Sequence, residues 1–251
     1  KFDFRFLDRF TPIKVLGKGG YGCVFDAEFG LLKRRYAVKR IPIRPKAGQT
    51  KEDALKEVLA LDSFNHPGIV KYNNCWIEEP DKLWQRSNPM NLCVFSYNIS
   101  KKTFQIEFEN NCAFLYIEME LCKSTLSAWL SDTGNEKRDL DRMKSWFKQL
   151  LSAIAYIHKQ GLIHRDLKPS NILFASDDQL KICDLGISTN RAIMNDQEVP
   201  ISRTFDRGTV RYMALEQKGW CGYSAKVDIF SLGLILAELC VPMSDDQAAE
   251  V

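Results

Sequence analysis

The chain has 251 residues, 45% of them hydrophobic and 27% charged. Those are the proportions of a globular protein large enough for one big domain or two small lobes, and they exclude collagen-like, low-complexity and disordered classes. Lysine and arginine (35) exceed aspartate and glutamate (32) by only 3, which argues against a dedicated nucleic-acid or acidic-surface binder.

The eight cysteines form no CxxC pair and no Cys/His cluster, so reduced thiols in a cytosol-facing domain are expected and a structural zinc site is not. The most apolar stretch, Ile229 to Val241, is broken by Ser231, Gly233 and Glu238. It is too short to span a bilayer, and no membrane segment is expected.

In chain order, Phe10 to Leu16, Cys23 to Phe29 and Arg35 to Ile43 are alternating and β-branched, separated by glycine-containing or basic turns. That pattern predicts an antiparallel sheet. Thr50 to Phe64 carries Ala54, Leu55, Val58, Leu59 and Leu61, a helical stripe. Strands are predicted again at Ile69 to Ile77 and Ala113 to Leu121. Between them, Glu78 to Asn111 shows no helical period and reads as an insertion. Beyond Cys122 the texture turns helical. Leu140, Met143, Phe147, Leu150, Leu151, Ile154 and Ile157 recur at i, i+3/i+4 up to a stop at Gly161. A short hairpin, Ile172 to Phe174 with Leu180 to Cys183, follows. Residues 186–212 are polar and irregular, and Val227 to Leu239 is apolar nearly all round, predicting a buried helix. A β-rich part (1–121) followed by a helical part (122–251) predicts the α+β class.

Gly17-Lys18-Gly19-Gly20-Tyr21-Gly22-Cys23-Val24 fits GxGxxGxV. Because the sequence runs on as strand, the glycines form a hairpin turn and not the helix start of a dinucleotide fingerprint. Such a turn can bring backbone N–H groups close to a polyphosphate, or it can be a plain glycine-rich hairpin. Lys39, in Tyr36-Ala37-Val38-Lys39, can reach phosphates if Glu57 on the following helix holds it. Taken singly, it reads rather as part of a solvated face made by Lys33 to Lys46, which has seven cations and no acids.

Further on stands His164-Arg165-Asp166-Leu167-Lys168-Pro169-Ser170-Asn171, with Asp184-Leu185-Gly186 thirteen residues after Asn171. Phosphoryl transfer needs positioned charge and an oriented nucleophile. Asp166 is suited to accept a hydroxyl proton and Lys168 to neutralise the moving group. Asn171 and Asp184 offer hard oxygens for Mg²⁺.

These motifs, in this order, resemble the protein-kinase signature set over residues 10–240, nearly the whole chain. Lys168 gives the catalytic loop a serine/threonine-kinase look. Phe64 to Tyr72, Cys75 to Glu78, Tyr116 to Cys122 and Lys226 to Leu236 resemble the kinases of the alpha subunit of translation initiation factor 2. Glu79-Pro80 and Lys82 to Gln85 are most like that family's endoplasmic-reticulum stress branch, and the heme-regulated relatives stay open.

The resemblance implies a bilobal fold, with an antiparallel N-lobe over 1–121 (insertion 78–111) and a mainly helical C-lobe over 122–251. It implies ATP and Mg²⁺ as cofactors, the factor's alpha subunit as protein substrate, and a cytoplasmic location or the cytosolic side of an endoplasmic-reticulum membrane protein. Leu16 and Val24 would cap adenine, with Ala37 and the glycines Gly17, Gly19 and Gly22 completing the nucleotide set. Met119 would be the gatekeeper, and Glu120 and Cys122 would offer hinge bonds. Lys39 would contact phosphates while paired with Glu57. Thr204 matches the family's activation-loop phosphorylation site, with Arg165 as the phosphate's partner; an unmodified threonine is the alternative. Thr209 would contact Asp166 and Lys168, and Asp228 would anchor the catalytic loop. Arg5 resembles the arginine of a back-to-back N-lobe homodimer, with Arg9 where its acidic partner would stand; a solvated arm is the other reading.

Leu185 departs from the usual Phe, and Ala214-Leu215-Glu216 lacks a stiffening proline. The resemblance also implies further helices beyond Val251, so a truncated C-lobe is expected. A pseudokinase scaffold and an RNA-binding module using Lys33 to Lys46 are the competing functions.

Overall fold

The computed structural model describes residues 5–19, 22–43, 64–78, 95–98, 103–106, 113–133, 136–175, 179–185, 210–218 and 224–241. These divide into two compact units. The first comprises Lys1–Phe64 and Lys71–Leu121, the second Asn65–Val70 and Cys122–Val251. The predicted helix over Thr50 to Phe64, with Glu57, lies outside the described residues apart from Phe64.

In the first unit, a one-turn helix α1 (Arg5–Arg9) leads into β1 (Phe10–Gly19), β2 (Gly22–Phe29) and β3 (Arg34–Ile43). Then come β4 (Tyr72–Glu78), β5 (Phe95–Asn98), β6 (Thr103–Ile106) and β7 (Ala113–Glu120). The main sheet has the order β1-β2-β3-β7-β4, and each of its pairs is antiparallel. Strand side chains alternate between faces, so the residue types sort themselves. Phe10, Ala27, Val38, Phe114, Tyr116 and Trp76 cluster on one face, with Phe25, Phe29 and Tyr36 packed against them.

Phe6 of α1 caps this aromatic layer, stacked on Phe10 and Tyr116 at centroid distances of 5.9 and 5.2 Å. The N-terminal segment is therefore docked at Phe6, not solvated along its length. Its backbone N–H at Phe6 donates to Glu78 Oε1 at 2.7 Å, and the same oxygen accepts from Trp76 Nε1. Within the stretch 78–111, read as an insertion with no helical period, β5 and β6 pair antiparallel, Phe95 opposite Ile106 and Asn98 opposite Thr103.

The second unit holds β8 (Ser124–Thr125), α2 (Leu126–Thr133) and α3 (Leu140–Lys159). β9 (Ile172–Phe174), β10 (Leu180–Ile182) and α4 (Lys226–Cys240) follow. Strands β10, β9 and β8 form a small antiparallel sheet. Helix α3 starts at Asp139, whose carboxylate accepts from the N–H groups of Asp141 and Arg142. It ends before Gly161, whose φ of 74° a side chain rarely adopts. Its buried stripe is Met143, Trp146, Leu150, Ala153, Ile154 and Ile157. Leu140 and Leu151, expected inside, are exposed, because Trp146 meets Trp129 and Phe174 edge-on and turns the helix toward them. Helix α4 is buried along Val227, Ser231, Leu232, Ile235 and Leu239, but Ile229 and Phe230 face outward, so it is not buried all round as its composition suggested.

Residues Asn65–Val70 pack with the second unit although β4 follows them in the first. Ile69 bridges Ile182 in parallel, Val70 N–H donates to Ile182 O, and Ile182 N–H donates to Gly68 O. His66 completes the attachment. Its Nδ1 accepts from Gly68 N–H, leaving the proton on Nε2, 3.1 Å from Ser152 Oγ.

Candidate active site

The strand register of the first unit collects four predicted nucleotide residues on one sheet face. Lys39 stands opposite Val24 on one side and Ile117 on the other, and Ala37 stands opposite Met119. The aromatic layer fills the reverse face, so Val24, Ala37, Lys39 and Met119 are presented together away from it. Lys39 is only 7% exposed. This decides against a solvated basic face at that position, since a lysine so buried in a central strand must be held by a partner.

The glycine turn closes with Gly17 opposite Val24 and Gly19 opposite Gly22, after a register shift that leaves Leu16 unpaired in the ladder and half exposed. A Cβ on Gly17 would meet nothing within 4 Å, so that position is open. Gly22 differs: its φ is +123° and a Cβ would lie 2.0 Å from Arg40 O. Its glycine is required by the approach of β3, a reason the sequence motif does not reveal. Glu120 N–H is committed to Lys71 O and its carboxylate to Lys71 N–H. Any bond Glu120 gives a ligand comes from its carbonyl.

The second unit builds its loop around Asp228, almost wholly buried at the start of α4. One carboxylate oxygen accepts from His164 N–H at 2.9 Å and meets His158 Nε2 at 2.7 Å; the other accepts from Arg165 N–H at 2.8 Å. Burial pushes the Asp228 carboxyl up, but the hydrogen bond from His158, the nearby His164 ring and the two backbone N–H groups outweigh it and hold the group below the usual aspartate range. His164 Nδ1 accepts from Asp166 N–H, so its Nε2 carries the proton and donates to Cys183 O. That bond runs from His164, two residues before Asp166, to Cys183, the residue before Asp184.

Arg165 and Asp184 both have left-handed backbones, φ of 70° and 62°. Two non-glycine residues in that region mark a loop overdetermined by its surroundings. Asp166 is shared unequally. Its Oδ2 accepts from Asn171 Nδ2 at 3.1 Å and pairs with Lys168 Nζ at 3.1 Å. Its Oδ1 is buried and accepts from nothing among the described residues. Asn171 spends its amide nitrogen on Asp166 O and Oδ2, so its carbonyl oxygen is the group left for a cation. Cys183 N–H donates to Asn171 O, bringing the backbone beside Asp184 to Asn171. These oxygens are the hard donors that Mg²⁺ takes, and their chemistry fits the ion.

The segment Val210–Lys218 is tied to this loop by a residue that sequence reasoning missed. Gln217 is buried, its Oε1 accepts from Ala214 N–H at 3.0 Å, and its Nε2 donates to Arg165 O at 3.1 Å. It thereby braces the triplet that lacks a proline. Tyr212 OH donates to the Glu238 carboxylate, which also pairs with Arg211 at 2.7 Å, and Ser231 Oγ donates to Tyr212 O.

The protein kinase domain family model matches residues 10–248. This chain is a protein kinase domain. It is 39% identical over 239 residues to the interferon-induced, double-stranded RNA-activated protein kinase of Rattus norvegicus, covering 94% of this chain and 42% of that protein. To eukaryotic translation initiation factor 2-alpha kinase 3 of Rattus norvegicus it is 41% identical over 436 residues, covering 96% and 39%. To eIF-2-alpha kinase GCN2 of Arabidopsis thaliana it is 32% identical over 259 residues, covering 95% and 20%.

The kinase domain thus spans less than half the length of these relatives, two of which are named as kinases of the initiation-factor 2 alpha subunit. The first alignment is nearly gap-free, whereas the second needs 436 positions for 96% of this chain, so that relative carries long stretches with no counterpart here. The α+β class stands, with the antiparallel sheet in the first unit and the longer helices in the second. Gly186, Thr204 and Thr209 of the kinase signature lie outside the described residues, as do Gly20 and Tyr21. Arg5 opens α1. Among the described residues no cluster of three or more His, Cys, Asp or Glu groups suits a metal, and no helix is long and apolar enough to cross a membrane.

Proposed function

We propose that this kinase domain transfers the γ-phosphate of ATP to a serine or threonine hydroxyl of the alpha subunit of translation initiation factor 2, lowering initiation under stress. The observation that carries the chemistry is that Asp166 Oδ1 accepts from nothing among the described residues while Oδ2 is held by Asn171 and Lys168. An oxygen that already accepts two donors is a poor base, whereas Oδ1 can receive the hydroxyl of the acceptor residue and take its proton. Lys168 stands next to that carboxylate and offsets negative charge on the moving group. Asn171 and Asp184 would hold Mg²⁺, which supplies charge neutralisation to the phosphates when bound. In the first unit, Lys39 would engage the phosphates, the open position at Gly17 leaves backbone accessible, and Leu16, Val24, Ala37 and Met119 provide apolar surface for the base.

The names of the relatives support the substrate, since kinases named for this factor subunit align over nearly the whole chain. With these roles the two units correspond to the kinase N-lobe and C-lobe, with Asn65–Val70 docked on the latter. Phosphate on Thr204 would be paired by Arg165.

The test is Mg²⁺-dependent transfer of labelled phosphate to the purified alpha subunit and, in parallel, to a generic basic protein. Transfer to the alpha subunit, reduced about 10²- to 10⁴-fold by Asp166→Asn with ATP binding retained, is the expected result. Transfer to the generic protein alone would overturn the substrate. Nucleotide binding without transfer to either, from the full-length protein, would favour the scaffold reading.

A further inference from the structure

The sheet of the first unit separates two functions by face, and β3 belongs to both. Lys39 and Arg40 are consecutive, so their side chains point to opposite sides. Lys39 lies on the face with Val24, Ala37 and Met119, whereas Arg40, 7% exposed, lies on the aromatic face. There its guanidinium sits 5.2 Å from the centroids of both the Phe25 and Phe114 rings, clamped between them. Such a cation–π sandwich fixes a planar cation. Opposite Arg40 in the ladder stands Tyr116, and opposite Tyr116 stands Trp76, so the three form one row across β3, β7 and β4.

Glu78 closes this row and gathers the segment preceding the sheet. It accepts from Trp76 Nε1 and from the Phe6 N–H, and its charge and that of Arg40 act on one another and on the Tyr116 hydroxyl. Phe6 in turn lies against Phe25, 5.6 Å between centroids, one of the two rings that hold Arg40. The α1 arm, Glu78 and Arg40 are thus one packed unit. Its last link is backbone: Arg40 O and Ile41 Cα press against Gly22, where a Cβ would lie 2.0 and 3.2 Å away.

We propose that Arg40 and Glu78 are positioning residues for the nucleotide, through which docking of the N-terminal arm sets the placement of Lys39 and of the glycine turn. The inference deepens, and rests on, the assignment of the Lys39 face to ATP. Holding the guanidinium from both sides fixes β3 along its length, and a shift of β3 moves Lys39 and the Gly22 contact together. Detaching the arm removes Phe6 from the Phe25 ring and leaves the buried Glu78 with one donor fewer, so the arm favours the state in which β3 is placed to bind. An arm that acts only as a cover would stabilise the fold without altering nucleotide affinity.

The experiment measures Mg²⁺-ATP affinity, the KM for ATP against kcat, and thermal stability in the full-length kinase. Arg40→Met keeps an unbranched stem between the two rings and removes the fork. Glu78→Gln keeps an acceptor for Phe6 N–H and Trp76 Nε1 and removes the charge. Phe6→Ala frees the arm, and Lys39→Ala tests the nucleotide face itself. The expected result is a rise of roughly tenfold in the KM for ATP in Arg40→Met and Phe6→Ala, with kcat and the protein-substrate KM little changed and partial rescue in Arg40→Lys. A smaller rise is expected in Glu78→Gln.

Wild-type ATP affinity in folded Arg40→Met or, should that variant not fold, in Glu78→Gln overturns the proposal. If Lys39→Ala loses ATP while both of those bind it normally, only the positioning role falls. If Lys39→Ala itself binds ATP normally, the assignment of the face falls and the proposal with it.

Discussion

Asp166 and Gln217 show how differently two polar residues of one loop can be read. The catalytic role proposed for Asp166 follows from its neighbours in the chain: Lys168 and Asn171 are two and five residues away, and both reach its Oδ2. A local string of residue types therefore carries most of the geometry. Gln217 acts at a separation of 52 residues, on Arg165 O, and nothing around it in sequence marks it as more than a surface glutamine. Its burial is the signal, and burial is a tertiary property. Substituting Gln217→Met keeps the volume but strands Arg165 O and Ala214 N–H in a buried place, which costs about 1–3 kcal/mol for such a group. The expected outcome is a fall in kcat with the KM for ATP unchanged, because the strained Arg165 backbone adjoins Asp166 and lies in the other unit from Lys39. Steady-state kinetics at two ATP concentrations, with circular dichroism to confirm folding, checks it.

At the scale of elements, β1 to β3 were legible because β-branched and alternating residues are bounded by turn glycines, and the helix α3 because its apolar residues keep a 3.6-residue period. The α3 stripe was misplaced at Leu140 and Leu151 because hydrophobicity alone does not say which side Trp129 and Phe174 will occupy. In sequence the arm stays open between a dimer contact and a solvated arm because the one turn Arg5–Arg9, with Phe6 as its buried phenylalanine, has no period to detect.

Two predictions belong here. Gly22→Ala has to displace Arg40 O and adopt a φ of +123°, so it costs more than about 1 kcal/mol and lowers the melting temperature by several degrees, while Gly17→Ala, with open space around it, costs less. The second concerns His66. Burial holds its imidazole below the usual histidine range, so the folded state favours the neutral ring, and Gly68 N–H donates to it. A folded pKa below the unfolded one means stability present above about pH 6.5 and lost as pH falls through the folded value. Amide exchange at Gly68 and Ile182 should accelerate between pH 7 and pH 5.5 beyond its intrinsic change. His66→Gln should remove that excess, and an unchanged rate in the wild type would sink the prediction.

For the whole molecule, the two units depend on different groups. The first is organised by aromatic packing around Arg40 and Glu78, the second by Asp228, which gathers His158, His164 and Arg165 from α3 and the catalytic loop onto α4. Because the Asp228 carboxyl is held below its ordinary range, its contribution is present above about pH 4 and is lost as pH falls through the folded value. Asp228→Asn should cost about 3 kcal/mol at neutral pH and abolish that acid step. Denaturant titrations at pH 7 and at successively lower pH below about 4 would show the two curves drawing together as pH falls. Parallel loss in both proteins would contradict it.

The sequence by itself determined that this is a kinase domain of the α+β class: the order of the motifs follows from residue identity and short spacings, and the roles proposed for its carboxylates, amides and lysines rest on the same local pattern. Tertiary structure decided what long separations control. It assigned Asn65–Val70 to the second unit, docked Phe6 on the sheet through Glu78, made Gly22 obligatory because Arg40 O fills its Cβ position, and placed Gln217 against Arg165. Periodicity and local motifs report which face of an element is apolar and which groups lie a few residues apart. Which distant element fills that face is set by close packing, and no local pattern records it.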